Sequence, residues 1–461
     1  MGVVVKTGLV ALLMMTTLHA GAPFVGANVP VGRETGQRSG RRHLILCVDG
    51  VGFSMIERMR GEGHFKSFNS PSRMIAPFPT LTNIAMTEIL RPVGAGETSG
   101  YEDNFYDVER NRLRGGLVER FNDKSFVRGT FRELFDYHPS ALKSGLGYAA
   151  PPVSTYLEAL SDLVRLRQKF NGSKDETYFA YTGASDSLAH VGGERLLRSF
   201  LARLDDTLKD IVQDHAESVD VTIFSDHGNH FRKYRRADLQ SALREANFKL
   251  QSKLQDERSV VMPQFGLVGC AVLFTNETNE ARLATSLIRV RGVDFAAFEK
   301  SGVVFVINRH GEARIERRGD RLRYLSERGD PLELNSIVAE LKASGETDAN
   351  GFVTEENWFQ ATHTNPRTDA VRRIYEGATK HVRNRANVIL NFEDGYYVGS
   401  RTLDLFTFLQ ATHGNLGQEQ SFGFVMSTKK ELPSFVPAAE LWQTIGSPRL
   451  RKASQAAHAH H

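Results

Sequence analysis

The sequence predicts an α/β protein built on a mostly parallel central sheet with helices on both faces. Two observations predict it. Short, nearly unbroken apolar runs recur along the chain, and stretches of helical apolar periodicity lie between them. A run with no polar face marks a strand buried on both sides. Alternation of such strands with amphipathic helices lets helices cover both faces of one sheet.

The first run is residues 43–48, His-Leu-Ile-Leu-Cys-Val. Others occupy 177–181, 219–224, 267–274, 303–307, 388–392 and 422–426. Leu197, Leu201, Leu204, Leu208 and Ile211 recur every third or fourth position and make one helical stripe. Tyr156, Leu160, Leu163 and Leu166 make a second. Residues 311–324 differ, because Ala313, Ile315, Leu322 and Tyr324 alternate around Gly319-Asp320. That pattern predicts a polar hairpin, a small β excursion from the sheet. Residues 326–385 are charged and weakly periodic, and the whole stretch 236–385 is the least patterned part of a domain spanning 41–445.

Hydrophobic residues make up 41% and charged residues 24% of the 461, a globular balance that excludes disorder. A formal charge of +4 on a chain this long gives no reason to expect a nucleic-acid partner. Lys6, the apolar run 9–18 and the small residues Ala20 and Ala27 predict a signal peptide and cleavage region over 1–27. The run is shorter than the roughly 20 residues of a membrane span. An uncleaved anchor is the alternative, and no cysteine follows closely enough for a lipoprotein. The expected product is exported, periplasmic or secreted, with no transmembrane segment once mature. Residues 28–40 read as a linker. Residues 446–461 read as a basic tail whose His458, His460 and His461 are frayed chain end, not a metal site. Cys47 and Cys270 lie in apolar runs, so buried free thiols are expected over a disulfide. The sequons at Asn171 and Asn276 matter only in a eukaryotic host.

In open α/β sheets ligands gather at the carboxyl ends of the strands. After the first run comes Asp49, then Gly50-Val51-Gly52. After 177–181 come Asp186, His190 and Gly193; after 219–224 comes Ser225-Asp226-His227-Gly228. Thr412-His413-Gly414 precedes the last run. Each has a bland reading. An Asp after a strand commonly caps a turn, and His363 sits in the same Gln-Ala-Thr-His context as His413. As a set, three carboxylates and three imidazoles suit zinc or a similar divalent ion. Asp186 and His190, four apart, share one face of a helix. Asp226 and His227 are neighbours, and both can reach one site only past the strand end. Pro77-Phe78-Pro79-Thr80-Leu81-Thr82-Asn83 passes from turn residues into a helical stretch. A hydroxyl of Thr80 or Thr82 there would sit among free N–H groups that favour phosphate, with a cap as the alternative role. Phe53, Tyr106 and Phe231 read as core or rim residues before base-stacking ones.

The ordered set resembles the type I phosphodiesterase/nucleotide pyrophosphatase family of the alkaline phosphatase superfamily. The resemblance rests on Asp49, the P-T-x-T segment 79–82, the D-x-x-x-H-x-x-G segment 186–193, Asp226-His227-Gly228 and Thr412-His413-Gly414. It also takes in a looser polar and aromatic stretch around Asn104. It covers roughly residues 43–426 and implies an alkaline-phosphatase-like sheet. It further implies two divalent ions, of zinc type, one held by Asp186, His190 and His413 and the other by Asp49, Asp226 and His227, with Thr82 facing the second. Thr82 is then the nucleophile of a phosphate diester or phosphoanhydride hydrolase, passing through a phosphothreonine, and Asn104 donates to a non-bridging oxygen. The substrate is a small phosphate ester. Asn83 follows Thr82 directly where the family often has Phe-Pro-Asn, and His230 stands where Met is common. Both departures bear on specificity. The remaining alternatives are a phosphomonoesterase or phosphonate hydrolase on the same scaffold and a non-catalytic metal- or phosphate-binding relative. No Cys-x-Pro-x-Arg segment is present to supply a sulfatase nucleophile.

Overall fold

The computed structural model describes residues 41–93, 96–116, 135–137, 152–264 and 266–446. The signal peptide expected over 1–27, the linker 28–40 and the tail from residue 447 lie outside the described residues.

The central sheet has six strands, in the order Phe435–Pro437, Ser72–Ile75, Phe422–Ser427, Val219–Phe224, Arg42–Val48 and Thr177–Thr182. Three of its five pairings are parallel. Phe422–Ser427 runs antiparallel to both of its neighbours. The first strand shows why its run has no polar face. Leu44, Leu46 and Val48 point into one core with the helices Pro152–Gly172 and Ala184–Asp214. Ile45 and Cys47 point into another with Met86, Ile89 and Trp442. Side chains alternate across a strand, so a strand covered on both faces must be apolar at every position. The predicted helical stripe is realised, with Leu197, Leu201, Leu204, Leu208 and Ile211 all buried.

The β excursion is larger than the sequence suggests. It is a seven-stranded antiparallel sheet containing Cys270–Leu273, Val388–Phe392, Val293–Lys300, Val303–Asn308, Gly311–Arg318, Arg321–Arg328 and Val353–Thr354. The predicted hairpin is present, with Ile315 opposite Tyr324 and Arg318 opposite Arg321. The apolar run 267–274 serves two sheets. Leu267–Val268 pairs with Tyr396–Gly399, and Cys270–Leu273 pairs with Val388–Phe392. The break falls at Gly269, whose N–H donates to the His413 carbonyl at 2.7 Å. Cys47 and Cys270 are both buried free thiols. Among the described residues no helix is long and apolar enough to cross a membrane.

Register explains how distant segments meet. Arg42–Val48 lies between its two parallel neighbours, with Val48 opposite Thr182 and Cys47 opposite Phe224. Adjacent strands are about 4.8 Å apart, so the chain leaves all three strand ends within two spacings. Ile75 pairs with Phe422, which delivers Pro77–Thr80 and the residues before Phe422 to the same edge.

Candidate metal centre

Asp49, Asp186, Asp226, His227 and His413 fall into two groups whose donor atoms all lie within 4.8 Å of one another: Asp49, Asp226 and His227, and Asp186, His227 and His413. His190 joins them through Asp186, its Nε2 3.3 Å from Asp186 Oδ1. Its ring packs edge-on to His413 at 5.3 Å between centroids. All six are buried. His227 thus reaches both groups, and it stacks on His413 at 4.0 Å.

Each side chain is positioned by a local feature. Gly50 turns the chain after Asp49 with φ of +67°, and a Cβ there would lie 2.5 Å from Asp186 Oδ1. Only glycine admits that close approach. The Gly50 N–H donates to Asp226 Oδ1 at 3.2 Å. Asp186 and His190 occupy the first turns of Ala184–Asp214, one turn apart on one face. Asn229 ties two of the segments together, its amide donating to Asp186 Oδ1 and to the Gly50 carbonyl, both at 2.8 Å. The Tyr181 hydroxyl donates to Asp49 Oδ2.

The tautomers of two imidazoles follow from their partners. His413 Nδ1 lies 2.7 Å from the Thr80 carbonyl and His227 Nδ1 3.1 Å from the Gly228 carbonyl. A carbonyl only accepts, so both Nδ1 atoms carry hydrogen, and the two rings turn their Nε2 atoms toward the centre. Burial, then the neighbouring His227, holds the His413 pKa well below its ordinary value, which keeps the ring neutral.

The carboxylates divide. Burial, then Asp226 and Asp186, pushes Asp49 well above the usual carboxylate range. Burial likewise lifts Asp226 to about 7, against the opposing Gly50 N–H. Burial acts on Asp186 in the same sense, but His190, His413 and His227 outweigh it and hold that group well below its ordinary value. Asp226 Oδ2 is buried and takes no hydrogen bond from a described residue. Carboxylate oxygens and imidazole nitrogens gathered in one buried cluster, with one carboxylate oxygen left without a hydrogen bond, are donors that suit a divalent cation, so the residues fit such an ion.

The two candidate threonines separate cleanly. Thr80 is buried and fully engaged, donating to the Asn415 carbonyl at 3.1 Å and accepting from the Gly414 N–H at 2.7 Å. Thr82 opens the helix Thr82–Leu90, and its hydroxyl lies 3.2 Å from His227 Nε2 and 3.4 Å from Asp49 Oδ1. Asn104 begins the strand Asn104–Asp107, and its amide donates to the Gln264 carbonyl at 3.1 Å. None of its hydrogen bonds reaches the cluster. His363 is half-buried at the end of Glu355–Thr362, bonded to the Gln360 carbonyl and packed on Phe359 and Phe435, and takes no part. Phe53 and Tyr106 are core residues, and Phe231 packs half-buried against the core. No sequence pattern points to Tyr181, Asn229 or the Thr80 carbonyl as supports. His230, noted only as a departure from the family pattern, pairs with Asp394 at 3.1 Å.

No family model and no curated protein matches the chain. Solved structures do. Human ectonucleotide pyrophosphatase/phosphodiesterase 5 is 10% identical, with 87% of this chain and 93% of that one covered and a TM-score of 0.47. The murine protein, in an inactive form in complex with AMP, is 12% identical over 87% and 93%, with a TM-score of 0.47. Phosphonoacetate hydrolase from Sinorhizobium meliloti, in complex with phosphonoformate, is 11% identical over 87% and 94%, also at 0.47. The structural neighbours of this chain therefore include a nucleotide pyrophosphatase/phosphodiesterase and a phosphonate hydrolase.

Proposed function

We propose that the chain is an exported, metal-dependent hydrolase that cleaves phosphate diesters or phosphoanhydrides with Thr82 as the nucleophile. One observation carries the reading: the Thr82 hydroxyl faces His227 at 3.2 Å and Asp49 at 3.4 Å, within a buried set of three carboxylates and three imidazoles. Asp186, His190 and His413 would hold one divalent ion, and Asp49, Asp226 and His227 a second, zinc being the ion that best suits these donors. Such ions lower the pKa of a nearby hydroxyl and offset charge on the phosphoryl group. The chain supplies the rest. Thr82 sits at the first position of a nine-residue helix, whose leading N–H groups favour anionic oxygens. Attack of its Oγ on phosphorus forms one O–P bond and breaks another, and the leaving group, an alcohol from a diester or a phosphate from an anhydride, departs with the proton. Water then cleaves the phosphothreonine and restores the hydroxyl. Asn104 has a second amide N–H uncommitted to any described residue, available to a non-bridging oxygen. A neutral donor suits the single charge of a diester, whereas a monoester dianion is better met by Arg. Export rests on the apolar run at 9–18.

The test is hydrolysis of a chromogenic diester beside its matching monoester and a phosphonate, with and without chelator. Diester turnover that chelator removes and zinc restores is expected. Preference for the monoester or the phosphonate replaces the substrate assignment. Equal, chelator-insensitive rates on all three overturn the enzyme reading.

A further inference from the structure

A cavity of about 550 Å³ collects four arginines, Arg235, Arg236, Arg289 and Arg291, beside Tyr396. Its lining shares no residue with the metal-ligand set. Arg236 is committed, donating to Asp404 Oδ2 and to the Gly399 carbonyl, both at 2.8 Å. Arg235, Arg289 and Arg291 have no hydrogen bond or ion pair from their guanidinium groups to any described residue. Two carboxylates share the lining, Asp238 and Glu245. Asp238 is occupied as a helix cap, accepting from the Ser241 N–H at 3.1 Å. The cavity therefore carries net positive charge. A single exposed arginine is ordinary solvated surface. Three exposed ones without an ion pair to any described residue, lining one concavity of ligand size beside an aromatic ring, are not.

The cavity walls are fixed. Arg309 donates to the carbonyls of Ile288, Arg289 and Val290 at 3.0, 2.9 and 2.8 Å, clamping the turn that presents Arg289 and Arg291. Gly292 has φ of +90°, and a Cβ there would lie 2.2 Å from Tyr396 Cγ, so the ring lies directly on the backbone of that turn. Tyr396 in turn pairs with Arg235 in adjacent parallel strands. The side chains thus project from backbone held in one arrangement, which lowers the ordering cost of binding. Guanidinium forks match phosphate oxygens two at a time.

We infer that this cavity is a second anion site, separate from the metal centre, that takes a small phosphorylated molecule carrying two or more negative charges. The inference does not depend on the hydrolase reading.

Calorimetric titration with inorganic pyrophosphate tests it, using the full chain stripped of metal by chelator, with ionic strength held constant by sodium chloride. Metal removal takes the other centre out of the measurement. About one equivalent bound is expected. An Arg289→Ser/Arg291→Ser variant is expected to bind at least ~10-fold more weakly, with the zinc content of the metal-loaded form unchanged. Arg235→Ser, on a different element, gives the same direction of loss and guards against a folding defect confined to the 288–291 turn. Lack of saturable binding by the stripped parent, or equal affinity in parent and variants, overturns the assignment.

Discussion

Thr82→Ala is expected to lower metal-dependent diester turnover by about 10⁴-fold or more, the loss seen when a covalent nucleophile is deleted. Thermal stability and metal content should stay close to those of the parent. The hydroxyl makes only two long contacts, at 3.2 and 3.4 Å, and both partners have other neighbours. The neighbouring Thr80→Ala separates the two threonines. It leaves the buried Gly414 N–H without its 2.7 Å acceptor and the Asn415 carbonyl without a donor. The expected cost is ~1–3 kcal/mol of stability, read by denaturant unfolding. Its activity loss should be smaller than that of Thr82→Ala. Reversal of the two effects, with Thr80→Ala dead and stable and Thr82→Ala active, moves the nucleophile to Thr80.

Metal-free protein is expected to lose stability as pH rises from about 4 to about 7. The cause is Asp226, whose carboxyl goes from the ordinary 3.8 to about 7 in the fold. Between those values the folded state holds a proton that the unfolded chain has released. The sign follows: with more protons bound in the native state, unfolding becomes easier as pH increases. A shift of about three units corresponds to ~4 kcal/mol for this residue alone. Asp49, raised in the same direction by burial, adds to it. Asp186 acts oppositely, since its carboxyl is held low and its contribution is lost only in acid. Asp226→Asn should reduce the slope, and Asp49 accounts for what is left. Urea unfolding of chelator-treated protein across pH 4–8 measures it, and an upward slope over that window contradicts the assignment. Adding zinc should restore stability most at the high end, where the carboxylates are already ionised.

The candidate ligand positions are legible in the sequence because their residue types and their glycines stand next to unmistakable buried strands. The run 43–48 announces its own end, so local pattern alone places Asp49 at a sheet edge. The supports are not legible. Tyr181 reads as one more aromatic strand residue, and its bond to Asp49 spans 132 positions. The carbonyl of Thr80 holds His413 across 333 positions. Such contacts depend on strand register, which local pattern does not encode. The same holds for the run 267–274, where the two-sheet split is set by a backbone bond from Gly269 to His413. The stretch 326–385 resists assignment for a different reason. Its helix Asn335–Ala343 buries only Leu341, so it carries almost no apolar periodicity to detect. The size of the second sheet is hidden likewise, because Gly311–Arg318 and Arg321–Arg328 alternate apolar with charged residues and read as an isolated hairpin.

Elemental analysis of the purified protein after dialysis against zinc tests the central claim most directly, run beside an Asp226→Asn/His413→Ala double variant that touches both groups of donors. The account predicts about two equivalents of metal in the parent and a large loss in the double variant, with helical content preserved. A parent that retains less than about half an equivalent, or a double variant that keeps the parent's full complement, contradicts a metal centre built from these residues.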